Sequence, residues 1–306
     1  MIKKTLSQNV ELLRIKDVLR WTITQFNRSK IFYGHGTDNA WDEALQLILS
    51  LLFLPLNIPE YMLNAYLTLN ERKLIFKKIK KRIKNRIPVP YLINKSWFCN
   101  HEFYVDRRVH IPRSSISILI DNKFQGILKN EPKKILDLCT GSGCIAISCA
   151  YTFFQSNIDA SDISLDALKV VKKNLKKHNL LNSIRMIHSN LFSNIKNYKY
   201  DLIISNPPYV SKKKMKLLPL EYHAEPKLSL IGGGKDGLNI IIKILKSSCF
   251  FLEDNGILIC ETGYNKEKIM KMYSKIPLIW FEIENKESNI FMITKEELIK
   301  NQKYFF

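Results

Sequence analysis

The sequence predicts an α/β fold, a largely parallel sheet with helices on both faces, preceded by a small helical domain. Three observations lead there. From about Lys133 the chain alternates short apolar runs with helical patterns. The first of those runs ends in a glycine turn, Thr140-Gly141-Ser142-Gly143. Before Pro88 the apolar residues recur at steps of three and four. Regular strand–helix alternation favours parallel strands, because crossover helices then cover both faces.

Leu12, Ile15, Leu19, Ile23 and Phe26 define one apolar helical face. A turn follows at Tyr33-Gly34-His35-Gly36. Asn39 is placed to cap the next helix, with Asp42 and Glu43 in its first turn, and Pro55 is expected to end it. Thr68 and Glu71 form a capping-box pattern for a third helix with Ile75, Ile79 and Ile83 as its stripe, stopping before Pro88. Residues 88–112 are rich in strand formers, among them Trp97, Phe98, Phe103, Tyr104, Val105 and Val109, and read as a linking hairpin. Trp97 and Phe98 are read as packing between domains.

The alternating part then yields strands at Ile135–Cys139, Ile158–Ser161, Ile184–His188, Leu202–Ser205 and Ile257–Cys260. Helices are expected at Cys144–Tyr151, at Leu165–His178 with Ser164 as cap, and at Leu238–Leu252. Leu278–Ile283 and Ile290–Ile293 close the chain as two strands joined by a polar turn. The implied domains are 1–87, a hairpin linker at 88–114, and a ligand-binding domain at 115–306.

Composition excludes several classes. A chain of 306 residues with 46% hydrophobic and 25% charged residues has the balance of a globular protein with a sizeable core. Six cysteines form no CxxC pair, and no His cluster has ligand spacing, so neither a metal site nor a disulfide framework is expected. They read as free thiols of a reducing compartment. The most apolar stretch, Ala44 to Leu56, is too short to span a bilayer, and the N-terminus lacks the apolar core of a signal peptide. The expectation is a cytoplasmic protein with no membrane contact. The formal charge of +20 has two readings, attraction to nucleic acid and the Lys-, Ile- and Asn-rich bias of an AT-rich genome.

The turn at 140–143 lies where a strand meets a helix. Gly141 and Gly143 permit positive φ and a close ligand approach. Asp162 stands at the end of the next strand, where an acid accepts hydrogen bonds from two ribose hydroxyls. A glycine turn with this acid implies an adenosine-type cofactor. Ala146 fills the sixth position of the dinucleotide fingerprint, and the turn lacks the Lys-Ser/Thr ending of an ATP loop.

Asn206-Pro207-Pro208-Tyr209 follows the apolar run YDLIIS and therefore opens from the same sheet edge. The Asn206 side-chain oxygen and the Pro207 carbonyl are two acceptors, suited to the two N–H groups of a planar amide or amine. Proline has no N–H, so this part of the loop is stiff and purely accepting. The face of Tyr209 suits packing on a planar group. Alignment of such an unreactive nitrogen can supply about 7–11 kcal/mol of a barrier.

TGSG at 140–143 with NPPY at 206–209 resembles the class I amino-methyltransferases. The whole chain resembles the HemK-type protein glutamine methyltransferases, and within them the branch that modifies large-subunit ribosomal protein L-three. The likeness is carried by RWTITQFNRSKIFYGHGTDNAWDEA (20–44), RIPVPYLINKSWFCNHEFYVDRRVHIPRS (86–114), LDLCTGSGCIAI (136–147) and IISNPPYV (203–210). It implies a Rossmann-like seven-stranded sheet whose last strand pair is antiparallel, and S-adenosyl-L-methionine as cofactor. By the same resemblance Thr140, Gly141, Ser142 and Gly143 line the methionine end, Asp137 orders that loop, and Asp162 holds the ribose. Asn190 and Leu191 border the adenine. Asn206 touches cofactor and substrate, and Pro207, Pro208 and Tyr209 complete the amide pocket. The N-terminal helical domain is implied to recognise the protein substrate.

Three positions depart from the wider family. Cys139 stands where the first loop glycine is usual, Asn190 replaces an acid, and IPRSSIS (111–117) lacks the acidic version of the release-factor branch. Arg113 has two readings, a carboxylate ligand and a structural ion pair. Glu261 and Gly263 read as a structural turn. His35 and His110 lie near no nucleophile signature. The competing functions are methylation of release factors, of an amino group in rRNA or DNA, and non-catalytic binding during ribosome assembly. Ribosomal proteins are themselves basic, so a +20 enzyme is expected to meet its substrate nascent or associated with rRNA.

Overall fold

The structure, a computed structural model, describes residues 11–196, 198–283 and 286–305. It divides into one unit running to Lys95 plus Pro219–Ala224, and another made of Ser96–Leu218 and Glu225–Phe306.

In the first unit, helix α1 (Ile15–Arg28) buries Ile15, Val18, Leu19 and Phe26, while Ile23 is half-buried. Helix α2 (Ala40–Leu51) starts at Asn39, whose side chain accepts from the Asp42 amide at 2.9 Å. It stops before Pro55 is reached. Phe53 turns left-handed at φ 57°, and the Leu54 amide bonds back to the Leu49 carbonyl at 2.9 Å, so local hydrogen bonds and not the proline end the helix. Helix α3 (Leu69–Asn85) opens with the Thr68–Glu71 capping box and buries Ile75 and Ile79. Residues 89–93 were expected in the hairpin but form helix α4 (Val89–Ile93). Pro90 falls in its first turn, where a fixed φ suits the helix and the missing N–H costs nothing.

Arg82 on α3 is fully buried in this unit. It bonds Glu43, Glu221 at 3.0 Å and the Phe32 carbonyl at 2.7 Å. A buried guanidinium requires such complete pairing. In the same unit the His35 ring lies 4.8 Å from that of Tyr222.

The second unit opens with strands β1 (Ser96–Phe98) and β2 (His101–Phe103), a hairpin turned by Cys99 and Asn100, both at positive φ. Phe98 joins the apolar core of this unit with Phe103 and Ile116. Helix α5 (Ile116–Asp121) follows. The main sheet holds β3 (Lys134–Leu138), β4 (Asn157–Asp162), β5 (Ile184–His188), β6 (Tyr200–Ser205), β7 (Leu252–Glu261), β8 (Ile279–Ile283) and β9 (Lys286–Thr294). Their order is β5-β4-β3-β6-β7-β9-β8. The first five strands in sequence, β3 to β7, run parallel, and β9 lies antiparallel to both β7 and β8. The turn expected between the last two strands includes residues 284–285, outside the described residues.

Helices α6 (Cys144–Thr152), α7 (Leu165–Lys177), α8 (Lys212–Met215), α9 (Asn239–Ser248), α10 (Lys266–Met272) and α11 (Lys295–Lys300) complete the unit. Ile145, Ile147, Val171 and Leu175 fill one apolar layer, and Ile241, Ile244, Leu245 and Leu298 fill the other. The helix expected to reach Leu252 ends at Ser248, because Phe251 already pairs with Tyr200, whose amide donates to its carbonyl at 2.9 Å. Short helices α5, α8, α10 and α11 lie outside the elements the sequence predicts. Each is too brief for periodicity to reveal.

Candidate active site

In this sheet order, β3 has β4 on one side and β6 on the other. The chain therefore reverses its winding between β3 and β6, and ligands bind beyond the strand ends at such a switch point. Leu138 and Ser205 are register partners, so Cys139 and Asn206 begin neighbouring loops. The Ser205 hydroxyl donates to the Leu138 carbonyl at 2.7 Å, tying the two loop origins together.

The glycine loop is ordered from below. Buried Asp137 accepts from the Thr140 hydroxyl and from the Ala146 amide at 3.0 Å. Burial pushes its pKa up to about 7 against those two donors, and the charge of Asp162 adds to the rise. Cys139 sits at φ 66°, a left-handed backbone that glycine adopts without steric cost. This is the position where the wider family was expected to carry glycine. Gly141 and Gly143 also have positive φ, and a Cβ on Gly143 would lie 3.2 Å from Val171. Asp162 accepts from the Gly141 amide at 2.9 Å and from the Ser164 amide at 2.8 Å. Burial raises its pKa against those amides.

One cleft gathers these residues. Thr140, Gly141, Ser142, Asp162, Asn190 and Leu191 line it together with Asn206, Pro207, Pro208 and Tyr209. Asp137 and Gly143 are not part of its lining. They support the loop from the strand and helix sides.

The loop of Asn206–Tyr209 is held by segments the sequence did not single out. The Val210 amide donates to the Leu230 carbonyl at 2.7 Å, and the Gly232 amide to the Val210 carbonyl at 3.1 Å. Buried Asn265 donates its side-chain amide to the Tyr209 carbonyl at 2.9 Å. A Cβ on Gly232 would lie 1.9 Å from the Gly237 carbonyl oxygen and 2.5 Å from that of Pro208. A Cβ on Gly237 would lie 2.4 Å from the Tyr209 carbonyl oxygen. The glycine cluster at 232–237 was the available signal, since crowded backbone is where only glycine fits.

Another wall comes from the IPR stretch. Arg108, His110, Arg113 and Ser114 line the cleft, as do Pro226 and Leu228–Leu230. Arg113 forms an ion pair with fully buried Glu225, at 2.6 Å and 3.2 Å. The Ile111 amide also donates to that carboxylate at 3.1 Å, and His110 Nδ1 lies 2.7 Å from it. Burial and the Arg113 charge lower the His110 pKa, opposed by Glu225. No spacing pattern in the sequence pointed to Glu225. Ser114 donates to Glu261 at the end of β7, and burial pushes the Glu261 carboxyl up to about 7. Among the described residues, no group of three or more His, Cys, Asp or Glu is placed to hold a metal. No helix there is long and apolar enough to cross a membrane.

Comparison with known proteins now identifies the fold's family. Residues 120–222 match the family model described as Methyltransferase small domain. The ribosomal protein uL3 glutamine methyltransferase of Francisella tularensis is 40% identical over 293 residues, covering 95% of this chain and 93% of the relative. The protein of the same name from Neisseria meningitidis is 42% identical over 291 residues, covering 94% and 95%. The chain belongs to the ribosomal protein uL3 glutamine methyltransferase family. The sheet of this methyltransferase, with its antiparallel last pair, is the class I methyltransferase sheet. Among solved structures, the ribosomal protein L11 methylase of Lactobacillus delbrueckii superposes with a TM-score of 0.42 at 14% identity, covering 62% of this methyltransferase and 82% of that chain.

Proposed function

We infer that the protein transfers the methyl group of S-adenosyl-L-methionine to the side-chain amide nitrogen of a glutamine in ribosomal protein uL3. One observation carries the reading. An acceptor loop and a glycine loop open from adjacent parallel strands into a single cleft, in a chain that matches relatives of that name over nearly its whole length.

The residues on the glycine-loop side fit that cofactor. Asp162 accepts two backbone amides and retains lone pairs for ribose hydroxyls. A Cβ on Gly141 would meet nothing within 4 Å, so a ligand can approach the main chain there. Asn190 and Leu191 are the residues for the adenine edge, and Thr140–Ser142 for the methionine end. When bound, the cofactor supplies an electrophilic methyl carbon on positively charged sulfur.

Everything else falls to the chain's own groups. Asn206 and the Pro207 carbonyl take the two N–H groups of the substrate amide and fix its plane. Tyr209 packs on that plane. The same acceptors stabilise positive charge as it develops on nitrogen, and the proton that nitrogen must lose passes to solvent after methyl transfer. No ionisable side chain is required as base.

Substrate recognition is assigned to the helical unit, where Phe53, Tyr61 and Tyr66 are exposed. Because the protein carries +20 and ribosomal proteins are basic, uL3 is met in the cytoplasm while nascent or bound to rRNA. Equal rates at low salt on free uL3 and on assembly intermediates would contradict that last point. The reading as a whole is tested by offering tritiated S-adenosyl-L-methionine with uL3, a release factor or naked rRNA. Label is expected in uL3, and label confined to RNA would overturn it.

A further inference from the structure

We propose that the turn after β7, Gly263-Tyr264-Asn265, is a positioning brace that sets the orientation of the amide-acceptor loop, with Asn265 as its central residue. The proposal rests on the function inferred above and names residues that act through Tyr209, since none of the three lines the cleft.

Three contacts converge on one short stretch of the acceptor loop. Asn265 is fully buried and donates Nδ2 to the Tyr209 carbonyl at 2.9 Å. The Tyr264 hydroxyl accepts from the Ser211 amide at 3.2 Å, two residues further on. The rings of Tyr209 and Tyr264 meet edge to face at 6.1 Å. Gly263 makes this approach possible. Its φ is 54°, and a Cβ there would lie 2.1–2.6 Å from three carbons of the Tyr209 ring.

The brace is itself fixed. The Thr262 amide and hydroxyl both donate to the Asn289 carbonyl, at 2.8 Å and 2.9 Å, tying the turn to β9. The Asn265 amide closes the turn onto the Thr262 carbonyl at 3.2 Å. Pro207 and Pro208 offer no N–H groups of their own, so the loop has no amide donor at these two positions with which to anchor itself. The Tyr209 ring, the Tyr209 carbonyl and the Ser211 amide are held from one turn. A rotation at Tyr209 would swing the Asn206 and Pro207 acceptors off the line to the methyl donor, and displacements of about 1 Å suffice to cost 10²-fold in rate.

The test uses the full chain with Asn265→Asp, which keeps the shape but presents only acceptors to the Tyr209 carbonyl, and with Tyr264→Phe, which removes the acceptor for the Ser211 amide. Four quantities are read: kcat and KM for uL3, the Kd for S-adenosyl-L-methionine by calorimetry, and amide hydrogen exchange over residues 206–214. For Asn265→Asp the expected result is a fall in kcat of about 10- to 100-fold, with the cofactor Kd within about twofold. Exchange should accelerate at 210–212 while the strands keep their protection. For Tyr264→Phe, faster exchange should be confined to Ser211 and its neighbours. A kcat within twofold of wild type overturns the brace, and so does loss of protection across the whole sheet. If the wild type itself fails to methylate uL3, the inferred function falls, and the exchange data alone decide the brace. Unchanged exchange in both variants then rejects it.

Discussion

The Ser205 hydroxyl donates to the Leu138 carbonyl at 2.7 Å, one residue before each of the two functional loops begins. This bond lies between parallel neighbours at the point where the sheet reverses its winding order. It gives a physical reason why two loops 67 residues apart in sequence line the same cleft. On the inferred function, the glycine loop holds the cofactor and the acceptor loop holds the substrate amide.

Removing Asp162 should damage cofactor binding. A hydrogen bond to a charged group is worth about 1.5–3 kcal/mol. Asp162→Ala is therefore expected to weaken S-adenosyl-L-methionine binding at least tenfold by calorimetry, while Asp162→Asn, which keeps one acceptor oxygen, loses less. Equal affinity for wild type and Asp162→Ala would place the ribose elsewhere.

Crowding at the acceptor loop makes Gly232 a sensitive position. A Cβ 1.9 Å from the Gly237 carbonyl oxygen and 2.5 Å from that of Pro208 cannot be accommodated without moving backbone. Gly232→Ala should cost at least about 2 kcal/mol in urea unfolding, and methyl transfer should fall disproportionately in the fraction that stays folded. Wild-type stability and rate in this variant would show the loop to be soft.

Much of this was legible beforehand, for identifiable reasons. The strands and helices of the second unit show in the sequence because burial on both faces of a parallel sheet leaves continuous apolar runs such as Leu202–Ile204. Asn206–Tyr209 is readable because its chemistry resides in the residues themselves, a carboxamide and two prolines without N–H groups. Asn265 and Glu225 are not legible, because each acts through a partner far away in sequence, whereas Gly232 and Gly237 show only as members of a glycine cluster. Glu225 is an unremarkable acid until folding places Arg113 2.6 Å from it. Helix α4 is hidden in the sequence because its residues are strand formers by type, while prolines 88 and 90 start a helix by geometry.

The Glu225 cluster predicts a stability effect. The carboxylate is wholly buried between Arg113 and His110. Taking away one partner of a buried pair leaves an uncompensated charge and typically costs about 3–5 kcal/mol. Glu225→Ala should lose stability of that order in urea unfolding, with Glu225→Gln intermediate because its side-chain oxygen still accepts from Ile111. A loss in Glu225→Ala below about 1 kcal/mol would mean the cluster is solvated.

Asp137 predicts a pH dependence. Burial pushes its folded-state pKa up to about 7, above an ordinary value of 3.8. Between those values the folded chain holds a proton that the unfolded chain has released. The stabilising contribution is thus full below about pH 4 and is lost as pH rises through about 7. Thr140 and Ala146 both donate to the same Asp137 oxygen, so Asp137→Asn keeps an acceptor for both and cannot titrate. Its melting temperature relative to wild type should therefore rise between about pH 5 and pH 8. A difference that stays flat or falls would place the Asp137 pKa in the ordinary range.

The most direct test of the central claim compares wild type with Asn206→Ala, supplying tritiated S-adenosyl-L-methionine and uL3. The account predicts label on a glutamine side-chain amide with wild type, a loss of at least about 10²-fold with the variant, and a cofactor Kd within about threefold for both. Label transferred at equal rates by the two proteins would contradict it.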